Sequence, residues 1–241
     1  MSSTIGHLGP FEVVELRRYT IAEGERVAFA TCFESFFPEA FQQLGALVLG
    51  QFLERDQPNR FTWLRAFANL DALARVKSDF YYGPLWKEHR ATMNDRLIDW
   101  QDALLLEPLD AQRPIALLPA VDPLREPAGA RGLVVAHLLP VRGGEARSAA
   151  RAAFDGYGAG GARELAALST LDAVNTFPQH PVRTDGPWIV WLGVLEDEAA
   201  RLHFTTLAER TAGALAAAGL LREAPELLWL DPAPRSRWRW L

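Results

Sequence analysis

FEVVELRRYT, residues 11–20, decides the fold. Its side chains alternate: Val14 and Leu16 fall on one face, Glu15, Arg17 and Tyr19 on the other, the two-residue period of a strand. Residues 24–44 follow with a 3.6-residue period. Gly24-Glu25 opens a helix with an apolar stripe of Phe29, Phe33, Phe36, Phe37, Ala40, Phe41 and Leu44, which Pro38 is expected to break or kink. ALVLGQFLE (46–54) and RFTWLRAF (60–67) read as a strand pair around the turn residues Asp56-Gln57-Pro58-Asn59. Helices are expected over 70–80 and from Gly83-Pro84 to about Leu97, then a short strand over 103–107.

The order restarts after residues 108–130, where Pro108, Pro114, Pro119, Pro123 and Pro127 suit an extended connector. Strands are expected over 132–141, 165–177, 188–195 and 226–230, with helices over 143–157 and 197–218. Each half therefore reads β-α-β-β-α-β, the ferredoxin-like order. Two identities support a duplication: Gly24-Glu25 with Gly144-Glu145, and Trp63-Leu64 with Trp191-Leu192. The first gives an offset of 120 residues (24 to 144), the second of 128 (63 to 191).

The predicted fold class is α+β: tandem ferredoxin-like repeats forming one intramolecular α-β barrel. Its parts are a first domain over 11–108, a connector over 109–130 and a second domain over 131–232. A four-stranded sheet with helices on one face leaves the other face bare, and the second sheet covers it. Val14 and Leu16 are expected to face the helices, and the charged face to line the barrel. The inner-wall ligand residues are then Glu15, Tyr19, Gln51, Trp63, Arg65 and Phe67, with Arg17 and His137 as the catalytic pair. His137 stands opposite Arg17 in the pseudo-twofold, with Val135 and Leu139 at the positions of Glu15 and Tyr19. An imidazole near neutrality moves a proton while an arginine steadies an oxyanion. Against this stands a plain reading, in which the charges form a structural network and His137 is a bonded core histidine.

Bulk properties narrow the classes. A formal charge of −5 with interspersed signs speaks against a nucleic-acid partner. The single cysteine, Cys32, excludes an intrachain disulfide and fits a reducing, cytoplasmic setting. Residues 1–10 read as a flexible lead-in without a secretory signal, and no apolar run reaches the ~20 residues of a membrane helix. No His-x3-His pair supports a metal site. Gly158-Ala159-Gly160-Gly161 follows a helix and reads as a helix stop, not a phosphate loop. His180 follows a proline turn and is placed at the surface or a barrel mouth. His89 and His203 are weighed as axial haem ligands, with haem otherwise not expected. Trp238 and Trp240 in the basic tail are expected to pack on the chain or on a second copy.

Residues 15–24, ELRRYTIAEG, resemble the opening of the NIPSNAP family. The likeness continues through Gly50-Gln51-Phe52, Pro58-Asn59-Arg60-Phe61, Trp63 to Phe67 and Phe80 to Trp86, and in the second half through NTFPQHPVR (175–183). It implies the dimeric α-β barrel class, here within one chain, whose relatives include cofactor-independent quinol monooxygenases, polyketide cyclases and haem enzymes. The function expected on this basis is binding of a small aromatic or enolisable molecule in the barrel, as a cofactor-independent oxygenase, isomerase or cyclase. The alternatives are a non-catalytic ligand carrier or protein-interaction module, and a haem-binding protein. The expected partner is a small-molecule ligand, with a homo-oligomer left open.

Overall fold

The computed structural model describes residues 9–110 and 112–241. The lead-in expected over residues 1–10 lies outside them apart from Gly9 and Pro10. The chain runs β1 (Val13–Ile21), α1 (Arg26–Leu44), β2 (Leu47–Glu54), β3 (Arg60–Phe67), α2 (Leu70–Tyr81), α3 (Pro84–Asn94) and β4 (Leu97–Pro108). The second half is β5 (Leu133–Pro140), α4 (Ala146–Phe154), β6 (Arg163–Thr170), β7 (Trp188–Leu195), α5 (Arg201–Ala217) and β8 (Glu226–Pro232). The eight strands of the described residues close one antiparallel barrel in the order β1-β3-β2-β8-β5-β7-β6-β4. The halves meet at two short seams, β2 with β8 and β4 with β6.

The repeat is visible in the register. Arg17 pairs with Trp63 across β1–β3, and His137 with Trp191 across β5–β7, which reproduces the offsets of 120 and 128. Both hairpins also carry a bulge at the same place, between Val48 and Gly50 and between Glu164 and Ala166.

Several elements depart from expectation for physical reasons. α1 runs unbroken through Pro38. Proline removes the bond that the Glu34 carbonyl would accept, and the Arg235 guanidinium donates to that carbonyl instead. The helix ends at Gly45, whose φ of 95° is the left-handed stop that glycine adopts freely. α3 stops at Asn94, and β4 begins at Leu97 because Leu97 pairs with Ile21. β6 ends at Thr170, so residues 171–187 form an irregular connection rather than a longer strand.

The strand faces are the reverse of the expected ones. Val14 and Leu16 point into the barrel and pack with Leu64, Leu104, Val134, Ala136, Val190 and Leu192 from both halves. The interior is filled by apolar side chains. One end closes on ions: the Arg18 Nε donates to the Glu54 carboxylate at 2.8 Å, and Arg18 Nη1 donates to Glu226 at 2.8 Å. At the other end Trp238, fully buried, donates its indole N–H to the Ala116 carbonyl at 2.8 Å. Arg163 stacks on Trp240, so both tail tryptophans pack on their own chain.

Glu15, Arg17, Tyr19, Gln51, Trp63, Arg65 and Phe67 therefore face outward, towards the helices. Two features of the helices draw them there. α1 presents an aromatic stripe that meets Tyr19, Trp63 and Phe67: Phe33 lies 5.0 Å from Trp63 between ring centroids, and Phe29 lies 6.1 Å from Tyr19. α2 carries Lys77 on its buried face among Leu73, Val76 and Phe80, and that amine needs a carboxylate. Among the described residues no helix is long and apolar enough to cross a membrane.

Candidate functional site

Glu15 is the hub of the first half's outer layer. Arg65 Nε and Lys77 Nζ each donate to its carboxylate at 2.7 Å, and Arg17 Nη1 donates at 3.2 Å. The side chains of all four are fully buried. Three cations thus share one carboxylate, and among the described residues none of the three pairs with another acid. The cluster carries an excess of two positive charges while Lys77 is protonated.

That imbalance shows in the proton affinities. Burial alone would raise the Glu15 pKa, but Arg65, Lys77 and Arg17 outweigh it and hold the carboxyl well below the usual range. Burial pulls Lys77 down to about 8, with Arg65 and Arg17 adding to the effect and Glu15 opposing it. The remaining polar atoms reach for partners. Arg17 Nη2 donates to the Trp100 carbonyl at 2.8 Å, while Arg17 Nε and Trp63 Nε1 are buried without a partner.

A cavity of about 480 Å³ opens above this cluster, between β1, the three first-half helices, β4 and the 171–187 connection. Its walls are aromatic, with Tyr19, Phe37, Tyr81, Trp86, Trp100 and Phe177 among them. Tyr81 and Trp86 stand edge to face at 5.3 Å. Size and lining suit a molecule of two or three fused rings. The floor touches the cations: Arg65 Nη1 donates to the Tyr81 hydroxyl at 3.2 Å, and Lys77 Nζ lies 5.2 Å from the Phe177 ring. The Tyr81 hydroxyl accepts from Arg65, and among the described residues its own proton has no acceptor. Burial raises its pKa, so it stays a protonated donor.

His180 also lines this cavity, not the surface or a barrel mouth. Its ring meets Tyr81 at 4.1 Å, and its Nδ1 is buried without a partner. Burial, then Arg17, Arg65 and Lys77, push its pKa down to about 2, so the imidazole stays neutral.

The other expected site residues disperse. β1 and β5 occupy opposite walls of the barrel, so Arg17 and His137, both facing outward, cannot act on one molecule. His137 Nδ1 bonds the Tyr157 hydroxyl at 2.7 Å, and burial lowers its pKa to about 4. It is a bonded histidine of the second half's packed layer. Gln51 donates to Glu34 at 2.9 Å under α1. The histidines weighed for haem do not fit an axial role. His89 stacks on Phe36 at 4.3 Å, and His203 is exposed on α5. Among the described residues no cluster of three or more acids, histidines or cysteines could hold a metal ion.

Sequence reasoning missed Tyr81, Lys77 and His180. Lys77 had a signal: a lysine in the apolar stripe Leu73, Val76, Phe80. Tyr81 and His180 had none, because their roles depend on where α2 and the 171–187 connection come to rest.

No family model matches the chain, and no curated protein matches it in sequence. Solved structures do match. A candidate monooxygenase from Fusobacterium nucleatum superposes with a TM-score of 0.59 at 9% identity, over 100% of this chain and 98% of that one. An anthrone oxidase-like protein gives a TM-score of 0.53 at 12% identity, over 94% and 93%. A NIPSNAP-like domain protein from Burkholderia xenovorans is 23% identical over 47% of this chain and 97% of that one, with a TM-score of 0.40. That match spans one half of the barrel and does not show membership of the family. The full-length likenesses show the fold: a dimeric α-β barrel whose two halves are here joined in one polypeptide.

Proposed function

We propose that this chain binds an aromatic or enolisable acid in the first-half cavity and oxidises it with dioxygen, without a cofactor. One observation carries the reading: an aromatic cavity of ring-system size lies over a buried cluster with three cations to one carboxylate. Such a floor favours the ionised form of a bound phenol, enol or carboxylic acid. Tyr81 donates to the anionic oxygen, and Arg65 behind it polarises the hydroxyl. Arg17 and Lys77 add field without contact, and Trp86 and Phe177 hold the rings.

The name of the anthrone oxidase-like structure suggests the test substrate. An anthrone ionised at its methylene is an electron-rich enolate that reduces dioxygen directly. The methylene carbon gains one oxygen atom as a carbonyl, and the second oxygen leaves as water with the two methylene hydrogens. The chain's part is to hold the enolate, order the rings and exclude bulk water.

A second reading, a ligand carrier, is favoured by one feature: among the described residues no carboxylate lines the cavity, and its histidine is a weak base. Oxygen uptake separates the two. An oxygenase consumes one dioxygen per anthrone at a rate above the uncatalysed reaction and loses this with Tyr81→Phe. Tight binding without extra uptake leaves the carrier.

A further inference from the structure

The second hairpin is longer than the first in one place. Residues 55–59 join β2 to β3, whereas residues 171–187 join β6 to β7, seventeen residues against five. Its end packs on its own half, where Asp185 accepts from Trp188 Nε1 at 3.2 Å, but its middle crosses to the first half and brings Phe177, Gln179 and His180 to the cavity.

The connection is built to hold that position. Asn175 Nδ2 donates to the His180 carbonyl at 2.8 Å, and its Oδ1 accepts from the Phe177 N–H at 3.0 Å. The Arg183 N–H donates to the Ala103 carbonyl on β4 at 2.7 Å, and its side chain pairs with Asp102. Gln179 Nε2 donates to the Tyr82 hydroxyl at 3.2 Å, tying the strap to the end of α2. Among the described residues, His180 carries the strap's one buried side-chain polar atom that lacks a partner. Its Nδ1 is buried without a partner, and its ring centroid lies 4.1 Å from that of Tyr81, the proposed donor to the ligand's anionic oxygen, edge to face.

We propose that His180 is a specificity-determining residue, supplied by the strap of one half to the site of the other, which selects aromatic anions bearing a neutral hydroxyl beside the anionic oxygen. The inference rests on the reading of the cavity as an aromatic-anion site. A neutral imidazole offers one N–H and one lone pair, and a hydroxyl satisfies either, whichever nitrogen faces it. A carbonyl meets only the N–H, and a ligand ammonium is repelled by Arg17, Arg65 and Lys77. Because the two rings touch, the probe chosen carries its two oxygens on neighbouring positions.

The test compares two probes that differ by that hydroxyl, 2-naphthoate and 3-hydroxy-2-naphthoate, by calorimetric titration of the full chain. The wild type binds the hydroxylated probe about five-fold or more tightly, the worth of one net hydrogen bond. His180→Ala brings the ratio of the two affinities to about one, while His180→Gln, which keeps a donor and an acceptor, retains part of the preference. Equal affinities in the wild type, or a preference that survives His180→Ala, overturn the proposal and leave the cavity reading standing. Loss of both probes in both variants also overturns it, because His180 then only shapes the strap. Binding of neither probe by the wild type brings down the cavity reading and this inference with it.

Discussion

Arg65 and Gly193 occupy the same position in the two repeats. Arg65 pairs with Glu15 across β1–β3, and Gly193 pairs with Val135 across β5–β7. Where Arg65 reaches Glu15, the second half has no side chain at all. The Trp191 ring fills the space, so that a Cβ on Gly193 would lie 2.1 Å from it. Trp191 packs on Phe204 at 5.3 Å and Tyr157 at 4.8 Å. One half has become a charged floor under a cavity, and the other a packed aromatic layer.

Gly193→Ala tests the packed half. The added methyl must displace the Trp191 ring, at a cost of about 1–3 kcal/mol. Urea unfolding should show the loss, and a shifted tryptophan emission should accompany it. A change below about 0.5 kcal/mol would mean that Trp191 is free to move.

Glu15→Gln tests the charged half. It leaves Arg17, Arg65 and Lys77 buried without a counter-charge, which costs about 3–5 kcal/mol. Adding Lys77→Met to Glu15→Gln should recover part of that in denaturant titrations. Additive losses in the double variant would contradict the shared network.

The pH dependence of stability has a sign at each end. Glu15 is held below its unfolded value of 4.5, so its contribution is complete above that pH and is lost as pH falls towards the folded value. Lys77 drops from 10.5 to about 8. Between those two pH values the unfolded chain keeps the proton that the folded chain has lost, so stability rises with pH across that window. Melting temperatures of the wild type and Lys77→Met, measured from pH 7 to 10.5, should diverge: the wild type gains relative to the variant. Parallel curves would show that Lys77 titrates normally.

Tyr81→Phe keeps the ring and removes the proposed donor. Affinity for 2-naphthoate should fall at least about ten-fold, the worth of a hydrogen bond to a charged group. Affinity for the uncharged 2-naphthalenemethanol should change far less. Equal losses for both would place the anionic oxygen elsewhere.

The alternation in FEVVELRRYT made the strand and its two faces legible, and the repeat made the barrel legible. Which face looks inward was not. The expectation that a polar face seeks a polar cavity overlooked the partners on the helices. The stripe Phe29, Phe33, Phe37, Phe41 has its aromatic counterparts Tyr19, Trp63 and Phe67 on the charged face, while the opposite face of the strands is mostly aliphatic in both halves, Phe52 and Trp188 apart. Matching aromatics to aromatics and Lys77 to Glu15 would have turned the sheet the right way. The repeat offsets give eight extra residues in the second half, fewer than the twelve by which the 171–187 connection exceeds residues 55–59, and its crossing to the other half rests on contacts such as Arg183 with Ala103 that no local pattern encodes.

The placement of the ligand is the claim on which the rest depends. A crystal grown with 6-bromo-2-naphthoate reports it through the anomalous signal of bromine. A single strong peak is expected in the cavity bounded by Tyr81, Trp86 and His180, with the carboxylate towards the Tyr81 hydroxyl. A peak inside the barrel beside Leu16 and Leu192, or beneath α4 and α5 near Trp191, would contradict it.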